Sequence, residues 1–497
     1  MFYLLANNVG TLGGYRKREL FFGLFKFGCA KEFDMMFDVL EKCLESAEIG
    51  KSDLLQLRAQ KRVMTTCTVK NGIVEECSQI SLNGIGSRAL VEGKSWGFSS
   101  TNSLDPKAAR QTLENSVKLA KVSSKLKQRG MQLEPVKALV ADVSIPVKKP
   151  PRDFSVEDIV KIPLEAYEGA RVAGSQIAET KATYIGIEDD KYFLSPEGTR
   201  IHQNTTRVML FLDVIAKSGS LICPASENVG HSGGLELFDD KPPYSVGEIV
   251  ARNAVKLLSS KAPPSGNFSV VISPTLCATL LHEAIGHPLE ADLAMSGGGF
   301  GRQMSTLVSS KLVTIYDDGH VKRGLGQFPY DDEGIECKHT VLIENGVLKS
   351  FMHDRTSAAV GNAHPTGNAH AWDYSVEPLI RQTNIGIEGG DYSLDEMVEE
   401  VKEGLFLEGT FGGQADSNAD FTFGFQRARR ILHGRLGEEL RGANVAGNAI
   451  EVFKTIDAVG KEAILRPGAC GKYQFAVQGR VVPAIRARIM VGGTGGV

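Results

Sequence analysis

The sequence predicts an α+β fold, with an N-terminal α/β domain of two helix-plus-meander halves and a C-terminal β-rich domain carrying a helix with two histidines. Three observations predict it. Between residues 36 and 220, a segment of helical spacing twice precedes a run of alternating β-rich segments. Past residue 246 the chain turns to short β segments and glycines. Within that region one apolar helical stretch carries His282-Glu283-Ala284-Ile285-Gly286-His287.

Taken in order, residues 1–35 read as an extension or an upstream start. "LFFGLFKFGCA" (Leu20–Ala30) resembles a short signal core, but Lys26 interrupts it and no small-residue cleavage site follows. The fold is expected to begin near Met35-Met36, where Phe37, Leu40, Cys43 and Leu44 have helical spacing. Strands follow, with turns expected at Asn71-Gly72 and Asn83-Gly84. A helix from Pro106 to about Lys127 is expected to turn Leu113, Val117, Leu119 and Ala120 inward. After the connector "VKKPPRDFS", a helix over Val156–Thr180 leads into a second meander with turns at Asp189-Asp190 and Glu197-Gly198. "DDKPPYS" closes the N-terminal domain (36–245), and 246–497 form the second domain. There the strand "NFSVVIS" ends in Ser273, an N-cap, with Pro274 at the first helical position. "LDEMVEEVKEGL" (Leu394–Leu405) is the other long helical pattern.

The 497 residues are 42% hydrophobic and 23% charged with a formal net charge of −3, so bulk attraction to nucleic acid or an anionic membrane is not expected. No apolar run reaches the roughly 18 residues of a spanning helix. The eight cysteines include no CxxC pair, which argues against a disulfide scaffold and for a reducing, cytoplasmic compartment.

The five-residue interval between His282 and His287 is the central question. On a regular helix, positions four apart diverge by about 40° and positions five apart by about 140°. Two core histidines with no shared task would satisfy that geometry. A π-bulge, which absorbs one extra residue, would bring both rings to one face, and such bulges concentrate at functional sites. Gly286 loosens the backbone here, and Pro288 has no N–H for the Ala284 carbonyl. Two imidazoles then hold a metal and Glu283 is the general base that activates water. A third ligand is needed, and Glu290, Asp292, His231, His364, His370 and Cys470 are the candidates; Glu290 and Asp292 are also suited to orienting a ligand histidine.

"HEAIGHPLEAD" (282–292), "YDDEG" (330–334), "LIENGVLKSFMHDR" (342–355), "PTGNAHAWDYSVEP" (365–378), "FGGQAD" (411–416), "PGACGK" (467–472) and "VGGTGG" (491–496) occur in this order. The series, from about residue 36 onward, resembles the TldD/PmbA family, and specifically its TldD branch of metalloproteases. The resemblance implies one Zn²⁺ per chain on His282, His287 and Cys470, with Glu283 catalytic. It further implies a cytoplasmic protease for unfolded peptides and peptide precursors, working with a PmbA-like (TldE-like) subunit or as a homodimer. Gln382, in "LIRQTN", stands where the resemblance leads one to expect Met.

The other motifs are weaker. "SGGGFGR" (Ser296–Arg302) lacks the Lys-Ser/Thr ending of a phosphate loop and reads as a lip beside the site. "YDDEG" reads as a solvated acidic turn. Gly412 and Gly413 would let a substrate backbone approach for strand addition, and His364 and His370 are candidates for positioning substrate. The sequence thus predicts a zinc peptidase for extended chains. The alternative is a non-catalytic peptide- or protein-binding modulator with a structural metal, which a fourth side-chain ligand would favour.

Overall fold

The structure, a computed structural model, describes residues 30–45, 54–127 and 130–492. Most of the proposed extension, and residues 493–496 of the last glycine motif, lie outside them. The first helix, α1 (Ala30–Glu45), starts several residues before Met35-Met36 and buries Met36, Phe37, Leu40 and Cys43.

One seven-stranded sheet unites both meanders: β1 (Leu54–Lys70), β2 (Ile73–Val91), β3 (Ser95–Thr101), β4 (Val140–Ser144), β5 (Ile177–Leu194), β6 (Arg200–Ser218) and β7 (Leu221–Ser232). Its order is β3-β2-β1-β5-β6-β4, with β7 also on β6. Helix α2 (Pro106–Ser124) is capped by Asp105 and buries Ala109, Leu113, Ser116 and Ala120, whereas Leu119 faces solvent. Helix α3 (Val156–Arg171) has a Ser155–Asp158 capping box and stops at Gly174 (φ +93°), so residues 177–180 are strand rather than the expected helix. Helix α4 (Pro243–Leu257) packs beside α3 through glycine: a Cβ on Gly247 would lie 2.0 Å from the Ala166 carbonyl.

Three local expectations are corrected. Asn71-Gly72 is a hairpin turn (φ +50° and +79°), but Asn83-Gly84 lies inside β2, where a Cβ on Gly84 would meet the Tyr374 ring at 2.2 Å. Asp189-Asp190 lies inside β5; Asp189 is buried against Arg62 at 2.7 and 2.8 Å. "YDDEG" is not solvated. Asp331, Asp332 and Glu333 are buried; Asp332 faces Arg58 and Lys191, and Glu333 faces Arg88 at 2.5 Å, tying the first sheet to the rest. One cysteine pair departs from the expectation, while Cys223, Cys277, Cys337 and Cys470 are free thiols. A bulge between Thr68 and Val69 shifts the β1–β2 register so that Cys67 faces Cys77, and the two are disulfide-bonded.

Two large sheets and a two-stranded one (Ala369–His370 with Leu379–Ile380) form the second half. One runs Glu403–Glu408, β8 (Gly266–Ile272), Ile485–Gly492, Arg435–Asn448, Asp420–Leu432 and Gly413–Ala415, with Ala458–Val459 on Ile485–Gly492. The other runs Val347–Leu348, Thr340–Glu344, Ile315–Asp317, Asn384–Ile387, Gln474–Val482 and Ile464–Lys472. Helix α5 (Pro274–Leu280) follows β8, and its Leu276 and Leu280, with Leu281 just beyond it, share one core with Phe421, Phe423 and Phe425. The 394–405 pattern is helical only over Leu394–Glu399 and becomes strand from Glu403. Among the described residues no helix is long and apolar enough to cross a membrane.

Candidate active site

The Ser273 side chain caps α5, with Pro274 in its first turn. From Leu281 to Gly286 the helix widens to π-helical geometry, and the His287 N–H reaches back to the His282 carbonyl, five residues away. It then tightens to a 3-10 turn over His287–Leu289, as Pro288 requires. The extra residue is absorbed. The two imidazole centroids lie 4.6 Å apart.

Cys470 comes from another direction, on Ile464–Lys472 in the hairpin that turns at Tyr473 (φ +60°) and pairs Cys470 with Ala476. Ligand atoms of His282, His287 and Cys470 all lie within 4.8 Å of one another, so the three residues can hold one metal ion. Glu283 Oε1 is 3.8 Å from His282 Nε2 and Oε2 is 3.9 Å from His287 Nε2.

Neighbours orient both rings. His282, 1% exposed, has Nδ1 2.6 Å from Gln382 Oε1, while Gln382 Nε2 donates to the His282 carbonyl at 3.2 Å. Gly286 has a role other than the expected loosening: a Cβ there would lie 2.4–2.6 Å from the Gln382 amide. His287 Nδ1 lies 2.9 Å from Glu290 Oε1; Glu290 is 0% exposed and also meets Lys472, which binds Asp292 at 2.8 Å. With Nδ1 of each ring engaged, Nε2 is the atom turned toward the shared point, and at His282 it also lies 3.2 Å from the Gln478 side-chain amide.

Electrostatics separate the two imidazoles. Burial, reinforced by Arg480 and His287, holds His282 well below the usual histidine range, hence neutral. Burial pushes the same way at His287, but Glu290 and Cys470 outweigh it and raise His287 to about 10. For Glu290, burial is overcome by His287 and Lys472, which bring it down to about 2. Arg381 contacts Cys470 Sγ. Arg480 is close enough to Glu283 and Cys470 for both to bear on its charge, and its buried Nε has no hydrogen-bond partner.

The other sequence candidates separate clearly. Glu290 and Asp292 orient His287 and Lys472. His231 is on β7 with Nε2 2.8 Å from the Gly234 carbonyl. His364 is exposed, with Nδ1 2.8 Å from Glu134, and His370 is buried against Phe328; neither joins the trio. Gly413 begins the edge strand Gly413–Ala415, which runs beside the π-helical segment, and with Gly412 it lines an open groove of about 850 Å³. Sequence reasoning missed Gln382, Arg381 and Arg480 as site residues. "LIRQTN" signalled the first two, and nothing signalled Arg480.

Two imidazoles and a thiol beside a carboxylate form a candidate centre of the metallohydrolase class, and comparison with known proteins says which family carries it. Profiles of the PmbA/TldA metallopeptidase domain 1, central domain and C-terminal domain match residues 55–120, 149–258 and 265–493. A metalloprotease of Methanocaldococcus jannaschii is 32% identical over 87% of this chain and 95% of its own. A zinc metalloprotease TldD homolog of Saccharolobus solfataricus is 31% identical over 58% of this chain and 65% of its own. This chain belongs to the PmbA/TldD metallopeptidase family. The crystal structure of TldE from Thermococcus kodakarensis, 19% identical, shares the fold with a TM-score of 0.71 over 93% of this chain and 100% of that one.

Proposed function

We propose that the protein is a cytoplasmic zinc peptidase cutting extended, unfolded peptides, with one zinc per chain on His282, His287 and Cys470. The single observation carrying this reading is that three donors from two distant segments meet within 4.8 Å beside Glu283. The donor set fits zinc: imidazole and thiolate suit it, three protein ligands leave a position open, and both rings have orienting partners. Zinc held there supplies a Lewis acid that lowers the pKa of water and polarises a carbonyl.

The chain's own residues do the rest. Gln382 and Glu290 hold both rings with Nε2 toward the shared point, and Arg381 contacts the Cys470 sulfur. Glu283 takes a proton from the attacking water and passes it to the leaving amine. Arg480, with its unpartnered Nε, receives the negative charge that develops on the scissile carbonyl oxygen.

A preference for extended chains is supported by the strand Gly413–Ala415, which among the described residues pairs only with Asp420–Leu432 and so leaves one edge open beside the π-helical segment. A folded protein has its backbone groups already paired and offers no such strand. The likeness to TldE supports a TldE-like partner subunit or a homodimer, and the 36–245 and 246–497 division remains our domain assignment. Glu283→Gln tests the reading. The variant should keep its zinc and lose hydrolysis, and wild-type turnover would rule out the mechanism.

A further inference from the structure

We propose that a cavity adjoining the candidate active site is a binding site for a carboxylate or comparable small monoanion. The cavity, of about 30 Å³, lies between β1, β5 and β6 on one side and Gln474–Val482 on the other. Its walls include Arg62, Arg207, His370 and Trp372, together with Arg381 and Gln382 of the site described above.

The case begins with charge. Arg62, Lys191, Arg207 and Arg381 line the cavity, and Asp189 is the one carboxylate among its lining residues. Arg62 occupies both oxygens of Asp189, at 2.7 and 2.8 Å. Lys191 turns to Asp332 at 3.2 Å, and Arg381 turns to Cys470. Arg207 is left over. It is fully buried and donates to the carbonyls of Leu325 and Gln327 at 2.8 and 3.0 Å and to Thr205 Oγ1 at 2.8 Å. Among the described residues its only carboxylate within 4.0 Å is Asp189, at that limit and already engaged. The cations lining the cavity therefore outnumber the carboxylates that face them, an excess that is costly unless an anion joins them.

Geometry points to the same place. Arg62 Nη1 is a buried donor with no hydrogen-bond partner among the described residues, and Arg62 lines this cavity. Neither cation is free to turn away: Arg62 lies 4.3 Å over the Trp372 ring and Arg207 4.3 Å over Phe328, which also stacks on His370 at 4.6 Å. Burial, opposed by Asp189 and reinforced by Arg62, brings Arg207 down to about 10. Burial also brings His370 down to about 3, with Lys191 and Arg207 adding to it against Asp332. A carboxylate oxygen would accept from Arg62 Nη1 and cancel the excess charge, with flat apolar walls on either side.

The anion has two possible sources, an acidic side chain or C-terminus of a substrate peptide and a free ion in solution. Only the first rests on the peptidase reading. The experiment uses the full-length zinc-loaded protein. Bromide-soaked crystals should show one anomalous peak in contact with Arg62, a result independent of turnover. Matched peptides with Glu or Gln at successive positions should show about a tenfold kcat/KM advantage for Glu at one position. Arg62→Lys, which keeps a partner for Asp189, should lose that advantage. Bromide binding without any charge preference assigns the site to a free ion. No bromide peak overturns the proposal, and because that result comes from wild-type crystals, misfolding of the variant cannot obscure it.

Discussion

Gln382 grips His282 at two points, with Oε1 2.6 Å from the ring Nδ1 and Nε2 donating to the backbone carbonyl at 3.2 Å. One amide thus fixes both where the histidine stands and which ring nitrogen faces the shared point. Gln382→Met, the residue the family resemblance led us to expect, replaces that amide with a weak acceptor. Zinc affinity should fall about 10–100-fold, read by chelator competition, with thermal unfolding little changed. Unchanged affinity would show that Nδ1 needs no partner.

Glu290 performs the matching task for His287 and is more deeply embedded. It is 0% exposed and held between His287 and Lys472. Glu290→Gln keeps the shape but removes the charge that both partners face. The cost should be about 3 kcal/mol in urea unfolding, the scale for breaking a buried pair. Lys472→Met combined with Glu290→Gln should recover part of it.

Arg480→Met should leave zinc content intact and lower kcat by about 10²–10³-fold, the cost of removing one donor to a developing oxyanion. Added guanidinium should restore part of the rate. Zinc loss in this variant would instead assign Arg480 to supporting Cys470.

Asp332 gives a pH test away from the ligands. Burial would raise its pKa, but Lys191 and Arg58 outweigh it and bring it down to about 2 from 3.8. A depressed carboxylate stabilises the fold above its unfolded pKa, and that contribution is lost as pH falls from about 4 to about 2. Wild type should exceed Asp332→Asn by about 2 kcal/mol at pH 7, and the gap should close on acidification. A gap that is flat with pH would remove the charge pairing as its cause.

The histidine motif was legible because its irregularity was local. The His282–His287 interval demanded an extra residue in the turn, and Pro288 announced where the ladder breaks. Cys470, 183 positions beyond His287, followed from the family resemblance and not from spacing. Most of the failures share one cause, partners distant in sequence. Asp189-Asp190 and Asp331-Asp332-Glu333 resemble turns only until Arg62, Arg58, Arg88 and Lys191 are brought against them. Asn83-Gly84 carries a turn signature, yet its glycine is there to admit Tyr374. Gly286 was noticed for backbone freedom, whereas the fold uses its missing side chain to seat Gln382. The register shift that pairs Cys67 with Cys77 depends on a bulge that no spacing rule foresees.

The central claim is that His282, His287 and Cys470 share one zinc, and X-ray absorption at the zinc edge tests it most directly. Measured on purified Glu283→Gln protein, with Cys470→Ser alongside, the account predicts one zinc with two imidazole nitrogens at about 2.0–2.1 Å and one sulfur at about 2.3 Å. The sulfur shell should vanish in the serine variant. A first shell without sulfur, or one unchanged by Cys470→Ser, would contradict it.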